Sequence, residues 1–159
     1  MEMRELIKAE HVLRLSVGNK SQLLQELVRR AAKALGTDVQ AILKPVMARE
    51  ALGSTGVGNG VAIPHARIPG LTHFFALFAR LEKPVDFEAI DGEPVDLVVL
   101  LLIPDKGEKE HLTALACVSR RLRDPEIARQ LRAISQPWAL YDVLATASPA
   151  AAVTAGRVE

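Results

Sequence analysis

Three side chains of this sequence combine reactivity with a placement that would expose it. His65 lies in GVGNGVAIPHARIPG, residues 56–70, His111 in KEHLTALACVSRRL, residues 109–122, and Arg49 in REALGSTG, residues 49–56. Neutral imidazole is a nucleophile near pH 7, unlike the ammonium of lysine or an unactivated serine, and it forms covalent intermediates. Pro64 fixes its own φ and biases Ile63 toward an extended shape, and the Pro69-Gly70 turn follows. The ring of His65 is therefore expected to leave the end of a short apolar strand, Val61-Ala62-Ile63, on a stiff loop. The competing reading is a histidine packed or solvated for no chemical reason.

His111 shares a helical phase with Leu115, Val118 and Leu122, so it points inward from the first turns of an amphipathic helix. That helix begins just after an apolar strand ends, and ligand sites in open α/β sheets gather outside strand ends. A core histidine bonded to a carbonyl would show the same spacing, and the sequence leaves open whether His65 and His111 share an edge of the sheet. Arg49 falls in the last turn of its helix, in phase with Ile42 and Val46. A cation there suits the helix dipole whatever else it does. Beside the glycine loop, its guanidinium could also hold two phosphate oxygens in a fork, as lysine cannot.

The glycine-rich GSTGVGNG, residues 53–60, invites a nucleotide reading and fails it. A P-loop needs GxxxxGK[ST], but Gly53 and Gly58 are followed by Asn59. A dinucleotide fingerprint runs from strand through glycine loop to helix, whereas here a helix enters the loop and a strand leaves it. The plain alternative is a flexible turn into a strand. Zinc would compete for His65, His73 and His111, but no HxxxH or HExxH pair and no carboxylate at ligand spacing supports it. GxSxG is absent, which argues against a serine hydrolase. Cys117, mid-helix among apolar residues, reads as core.

The elements that must position these groups follow from periodicity and punctuation. HVLRLSV, residues 11–17, alternates as a half-buried strand. Ser21 is the expected cap of a helix ending at Gly36, and Asp38 caps a second one ending at Gly53, with Pro45 predicting a kink or late start. HFFALFAR, residues 73–80, and VDLVVLLLI, residues 95–103, are strands, the second apolar on both faces and so central. Pro84 and Asp91-Gly92 mark turns around a short piece, VDF. A helix over about 106–122 follows, with Asp105 and Glu108 at capping-box spacing. Asp124-Pro125 and Gln136-Pro137 each open a further helix. Helices before, between and after the strands predict an α/β sandwich with a mixed sheet rather than a regular βαβ repeat.

The whole chain narrows the function classes. Its 159 residues suit one domain with a sizeable core, and 20 Lys and Arg against 19 Asp and Glu leave a net charge of +1, which attracts neither nucleic acid nor an anionic membrane. One cysteine excludes an internal disulfide and a CxxC site. MEMRELIKAE lacks the apolar stretch of a signal peptide, and the run from Leu97 to Ile103 is too short to span a bilayer, so a cytoplasmic protein without membrane insertion is expected. From Ala145 onward the chain is small and weakly polar. A domain over 1–146 and a disordered tail over 147–159 are therefore expected.

REALGSTGVGNGVAIPHARIPGL, residues 49–71, strongly resembles the phosphorylation-site segment of enzyme IIA domains of the fructose/mannitol type in the bacterial phosphotransferase system. FEAIDGEPVDLVVLLLIP and EHLTALACVSRRLRDP extend the resemblance, and the stand-alone, nitrogen-regulatory branch is the most similar. The resemblance implies a single α/β domain whose mixed sheet has helices on both faces. It implies that His65 accepts a phosphoryl group from a small HPr-like phosphocarrier and that Arg49 and His111 line the pocket. Ser54 and Thr55 could add hydroxyl donors and the loop glycines Gly56 and Gly58 backbone donors, without metal or cofactor. Regulatory target proteins would read the phosphorylation state. A fructose/mannitol permease downstream, or a sensor that no longer transfers phosphate, are the alternatives. Phe74 and Phe75 are candidates for an apolar docking rim, with sheet burial for at least one of them.

Overall fold

Val95–Pro104, apolar on both faces, has to be covered on both faces, and the architecture is built around that strand. The computed structural model describes residues 1–146; the expected tail over 147–159 lies outside the described residues. In chain order the elements are α1 (Met3–Leu6), β1 (Ile7–Leu15), α2 (Lys20–Leu35), α3 (Val39–Ala51), β2 (Gly56–Gly58) and β3 (Val61–Ala62). They continue with β4 (His65–Ile68), β5 (Phe75–Val85), β6 (Val95–Pro104), α4 (Glu108–Arg123), α5 (Pro125–Ala133) and α6 (Pro137–Ala145).

The strands form one mixed sheet in the order β1-β5-β6-β3-β2, with β4 also paired to β6. β5 runs antiparallel to β6, β1 parallel to β5, and β3 and β4 both parallel to β6. Side chains alternate across β6. Val98, Leu100 and Leu102 pack with Leu27, Ile42 and Val46 of α2 and α3. Leu97, Val99, Leu101 and Ile103 pack with Val118, Leu131 and Leu140 of α4, α5 and α6. Both cores are dry, with every one of these β6 side chains at most 1% exposed. Arg80 is the exception in β5: it is buried on the second face and donates to the carbonyls of Leu131, Arg132 and Ile134, satisfying the C-terminal end of α5. Among the described residues no helix is long and apolar enough to cross a membrane.

The sandwich with a mixed sheet is as the periodicity predicts, and several boundaries differ for local reasons. β1 begins four residues before His11, because the short α1 hands directly into it. Asn19, not Ser21, caps α2: its side-chain oxygen accepts from Gln22 N at 2.8 Å, while Ser21 Oγ accepts from Gln25 Nε2. α3 continues through Pro45 from its Asp38 cap to Ala51. β5 extends past the expected turn at Pro84, with a register irregularity between Arg80 and Val85 that accommodates the missing N–H. The expected capping box at Asp105 and Glu108 is absent; the N-cap of α4 is Gly107, whose φ of 91° no β-carbon-bearing residue adopts readily. The glycine loop is largely not a loop: β2 pairs antiparallel with β3, and Asn59 and Gly60 make the hairpin tip, both at positive φ.

If Asn19 carries the cap of α2, Asn19→Ala should lower the unfolding free energy by about 1 kcal/mol, whereas Ser21→Ala should change it by less than about 0.5 kcal/mol. Urea melts of the two variants measure both, and equal losses would return the cap to Ser21.

Candidate functional site

The edge of the sheet beside β6 is broken in the middle. Val61 and Ala62 of β3 pair with Leu97 and Val98, and then His65 to Ile68 of β4 resume the pairing from Leu101 to Pro104. Pro64 stands at the break, with no N–H to give, and its carbonyl accepts from Leu101 N at 2.9 Å. His65 is thus the first residue of a strand, where the sequence suggested the end of one. The break also frees the Ile63 carbonyl, which lies 2.8 Å from His65 Nδ1. A carbonyl can only accept, so Nδ1 carries the proton and the lone pair of the neutral ring sits on Nε2.

Alternation along β4 sends Ala66 and Ile68 into the core under α2 and α3, and so sends His65 and Arg67 to the opposite face, toward α4. There His111, in the first turn of α4, meets them. The His65 and His111 rings stand edge to face with centroids 6.0 Å apart. Arg67 Nε donates to His111 Nδ1 at 3.3 Å, and Arg67 Nη2 reaches Glu108 at 3.4 Å. Arg49 approaches from the C-terminal end of α3, its Nη1 donating to the Gly53 carbonyl at 2.9 Å. His65, Arg49, Ser54, Thr55, Ile63 and Leu115 help line a pocket of about 310 Å³. The structure therefore brings Arg49 and His65 into one pocket and sets His111, which is not among the residues that line it, edge to face against the His65 ring.

Ser54 and Thr55 border that pocket with their hydroxyl protons already used. Ser54 Oγ donates to the Phe87 carbonyl at 2.8 Å and accepts from Gly56 N at 3.0 Å. Thr55 donates through both its hydroxyl and its N–H to the Glu50 carboxylate. Gly56 is pressed against Ala89, where an added Cβ would come within 2.8 Å, and Gly58 sits in the hairpin facing Asp91. Ser54 and Thr55 thus shape the pocket wall with their hydroxyl donors already spent, and the Gly56 N–H is given to Ser54 Oγ, where the resemblance implied donors for a phosphoryl group. Phe75 is buried in the sheet, and Phe74 lines a separate hollow with His73 and Pro104. Exposed apolar side chains linked to these residues along the chain or by a backbone bond are Leu52, Leu112 and Ile90. They follow Arg49 on α3, adjoin His111, and are bonded through the Ile90 N–H to Gly56 O, respectively.

Sequence reasoning missed three residues. Glu50, 9% exposed, accepts from Thr55 and faces Lys20 Nζ at 3.4 Å; Lys20 in turn lies 4.5 Å from the centre of the Phe87 ring. A buried carboxylate so compensated holds the start of the glycine segment. Its adjacency to Arg49 in sequence was visible; its burial was not. Arg67 is two residues from His65, the spacing that puts strand neighbours on one face, and that was the available signal.

The fold is that of phosphotransferase IIA proteins. It matches the nitrogen regulatory protein IIA-Ntr from Neisseria meningitidis with a TM-score of 0.83 and 33% identity, covering 88% of this chain and 97% of that one. It also matches IIA mannitol from Escherichia coli with a TM-score of 0.71 at 16% identity, covering 86% and 97%, a likeness of fold alone. The chain belongs to the phosphoenolpyruvate-dependent sugar phosphotransferase system EIIA 2 family, which it matches over residues 5–147. Among its relatives, the nitrogen regulatory protein of Bradyrhizobium diazoefficiens is 49% identical over 146 residues, covering 91% of this chain and 95% of that one. The nitrogen regulatory protein of Escherichia coli is 40% identical over 127 residues, covering 79% and 78%.

Burial, Arg49 and His111 all push the His65 imidazole below its ordinary 6.5, burial most, against the pull of the Ile63 carbonyl. His111 is likewise lowered, first by burial and then by Arg67. The folded state thus binds a proton on His65 less readily than the unfolded chain does. This group costs no stability above 6.5, and stability falls as pH drops from there toward the folded value. Carbon-detected NMR titration should show His65 neutral at pH 7 with its midpoint under 6.5; a midpoint above 6.5 would contradict the site's electrostatics.

Proposed function

We propose that the protein is a phosphohistidine carrier of the nitrogen-regulatory kind, which takes a phosphoryl group on His65 Nε2 from a small HPr-like phosphocarrier. The observation that carries this reading is the Nδ1–H bond to the Ile63 carbonyl, which leaves Nε2 as the free nucleophilic atom of a ring held neutral. In the transfer, the Nε2 lone pair forms a bond to phosphorus as the P–N bond to the donor's imidazole breaks. The donor nitrogen keeps that electron pair. The proton stays on His65 Nδ1, donated to the Ile63 carbonyl, so no proton has to move, and the positive charge that develops on the ring is met by that carbonyl. One phosphoramidate replaces another, and the step is readily reversible.

Phosphoryl transfer passes through a loose, in-line transition state, so the protein's contribution is placement and charge. Arg49 supplies a guanidinium at the pocket wall and keeps donors beyond the one given to Gly53. His111 supplies an N–H: its Nδ1 accepts from Arg67, so its proton is on Nε2. Leu52, Ile90 and Leu112 are exposed apolar side chains that a docking protein could cover in a brief contact. A phosphoryl group carrying a charge near −2 would change the electrostatics around His65, and regulatory targets would distinguish the two states by it.

Incubation with phosphoenolpyruvate and the upstream phosphocarrier should label the protein in an acid-labile way and leave His65→Ala unlabelled; label surviving in His65→Ala would remove the assignment. Arg49→Lys keeps the charge and loses the fork, so transfer should slow by about tenfold or more while thermal unfolding stays near that of the wild type. Equal rates for Arg49→Lys and wild type would take Arg49 out of the mechanism.

A further inference from the structure

Arg67 is absorbed by neither the pocket nor the core. It lies on the His65 face of β4, its side chain 35% exposed, and it spends its Nε–H on a neighbouring imidazole although an exposed carboxylate is within reach. A guanidinium has donors only, so the 3.3 Å contact from Arg67 Nε requires an unprotonated Nδ1 on His111. A free neutral histidine exchanges between two tautomers. Here the contact selects one of them, with the proton on Nε2, the nitrogen on the far side of the ring from Arg67. The ring so oriented stands edge to face with His65, centroids 6.0 Å apart.

We propose that Arg67 is a positioning residue that acts through His111: it holds the second imidazole in the Nε2–H tautomer and in the orientation from which that N–H can serve a phosphoryl oxygen on His65. The inference rests on the reading of His65 as the phosphoryl acceptor. The role belongs to the Nε–H rather than to the positive charge. Two substitutions matched in length separate the two properties by the group at the fourth bond from Cα. Glutamine ends in an amide nitrogen at the same number of bonds from Cα as Arg Nε, so Arg67→Gln keeps a donor there without the charge. Methionine ends in a methyl group at that point, so Arg67→Met keeps the stem and removes both.

The first readout is the ¹⁵N shifts of the His111 ring in the unphosphorylated full chain at a pH where it is neutral. Wild type and Arg67→Gln should show Nε2–H predominating, and Arg67→Met a mixture of tautomers. The second is the rate of phosphoryl acceptance from the phosphocarrier. Arg67→Met should slow it by about 10- to 100-fold, Arg67→Gln should recover most of that loss, and Arg67→Met should add nothing in a His111→Ala background. A full Arg67→Met loss persisting without His111 would mean that Arg67 acts on the phosphoryl group directly and would overturn the proposal, as would an unchanged tautomer in Arg67→Met. If Arg67→Met does not fold, Arg67→Gln decides: a mixed tautomer there defeats a role for the Nε–H. The tautomer readout needs no phosphoryl transfer, so a wild type that shows the Nε2–H form yet never becomes labelled would refute the His65 reading while leaving the contact itself intact.

Discussion

A backbone carbonyl without a ladder partner governs the tautomer and orientation of the His65 ring. Pro64 interrupts the strand that pairs with β6, and the Ile63 carbonyl is left to accept from His65 Nδ1. That one hydrogen bond decides the tautomer, holds the plane of the ring, and leaves the lone pair of the neutral imidazole on Nε2. On the proposed function, a ring made more positive by phosphorylation would stay bonded to an oxygen that already faces it. The cost is a short interruption in an edge strand rather than a loss in the core, since β6 keeps its pairing on either side of the break.

Around that bond, charge is arranged without being left loose. Glu50 is buried, yet Thr55 donates to it twice and Lys20 stands beside it, so its charge is compensated and the wall of the pocket is stiff. The hydroxyls of Ser54 and Thr55 are spent in the same way, on the Phe87 carbonyl and on Glu50. The groups with capacity left over are therefore few: an arginine at the end of a helix and an imidazole at the start of another. Burial and the neighbouring cation at Arg49 both disfavour protonation of His65, which keeps its lone pair available at neutral pH.

The sheet makes this economy possible. β6 is dry on both sides, and the alternation of its side chains commits α2 and α3 to one face and α4 to α6 to the other. Arg49 comes from the first layer and His111 from the second. Both reach His65 because β4 is paired only to β6, so its outer side is open to helices of either layer. A site at the end or edge of a sheet can collect residues from both layers; a site in the middle of a face cannot.

Period and punctuation in the sequence determined the sandwich, the central strand, the Asp38 and Asp124 caps and the inward phase of His111, because each depends on residues within one or two turns of the chain. The sequence also marked His65, since two prolines and a histidine are local signals. What only the tertiary structure decided were the pairings across distance: that the glycine segment is a hairpin, that Ser54 and Thr55 are already bonded, that the Asn19 side chain rather than that of Ser21 caps α2, that Glu50 and Lys20 brace Thr55, and that Arg67 meets His111. A hydrogen bond between residues 44 apart, such as Arg67 to His111, leaves no periodic trace. Whether a donor is free or spent is a property of its neighbours in space, and side-chain type alone does not carry it.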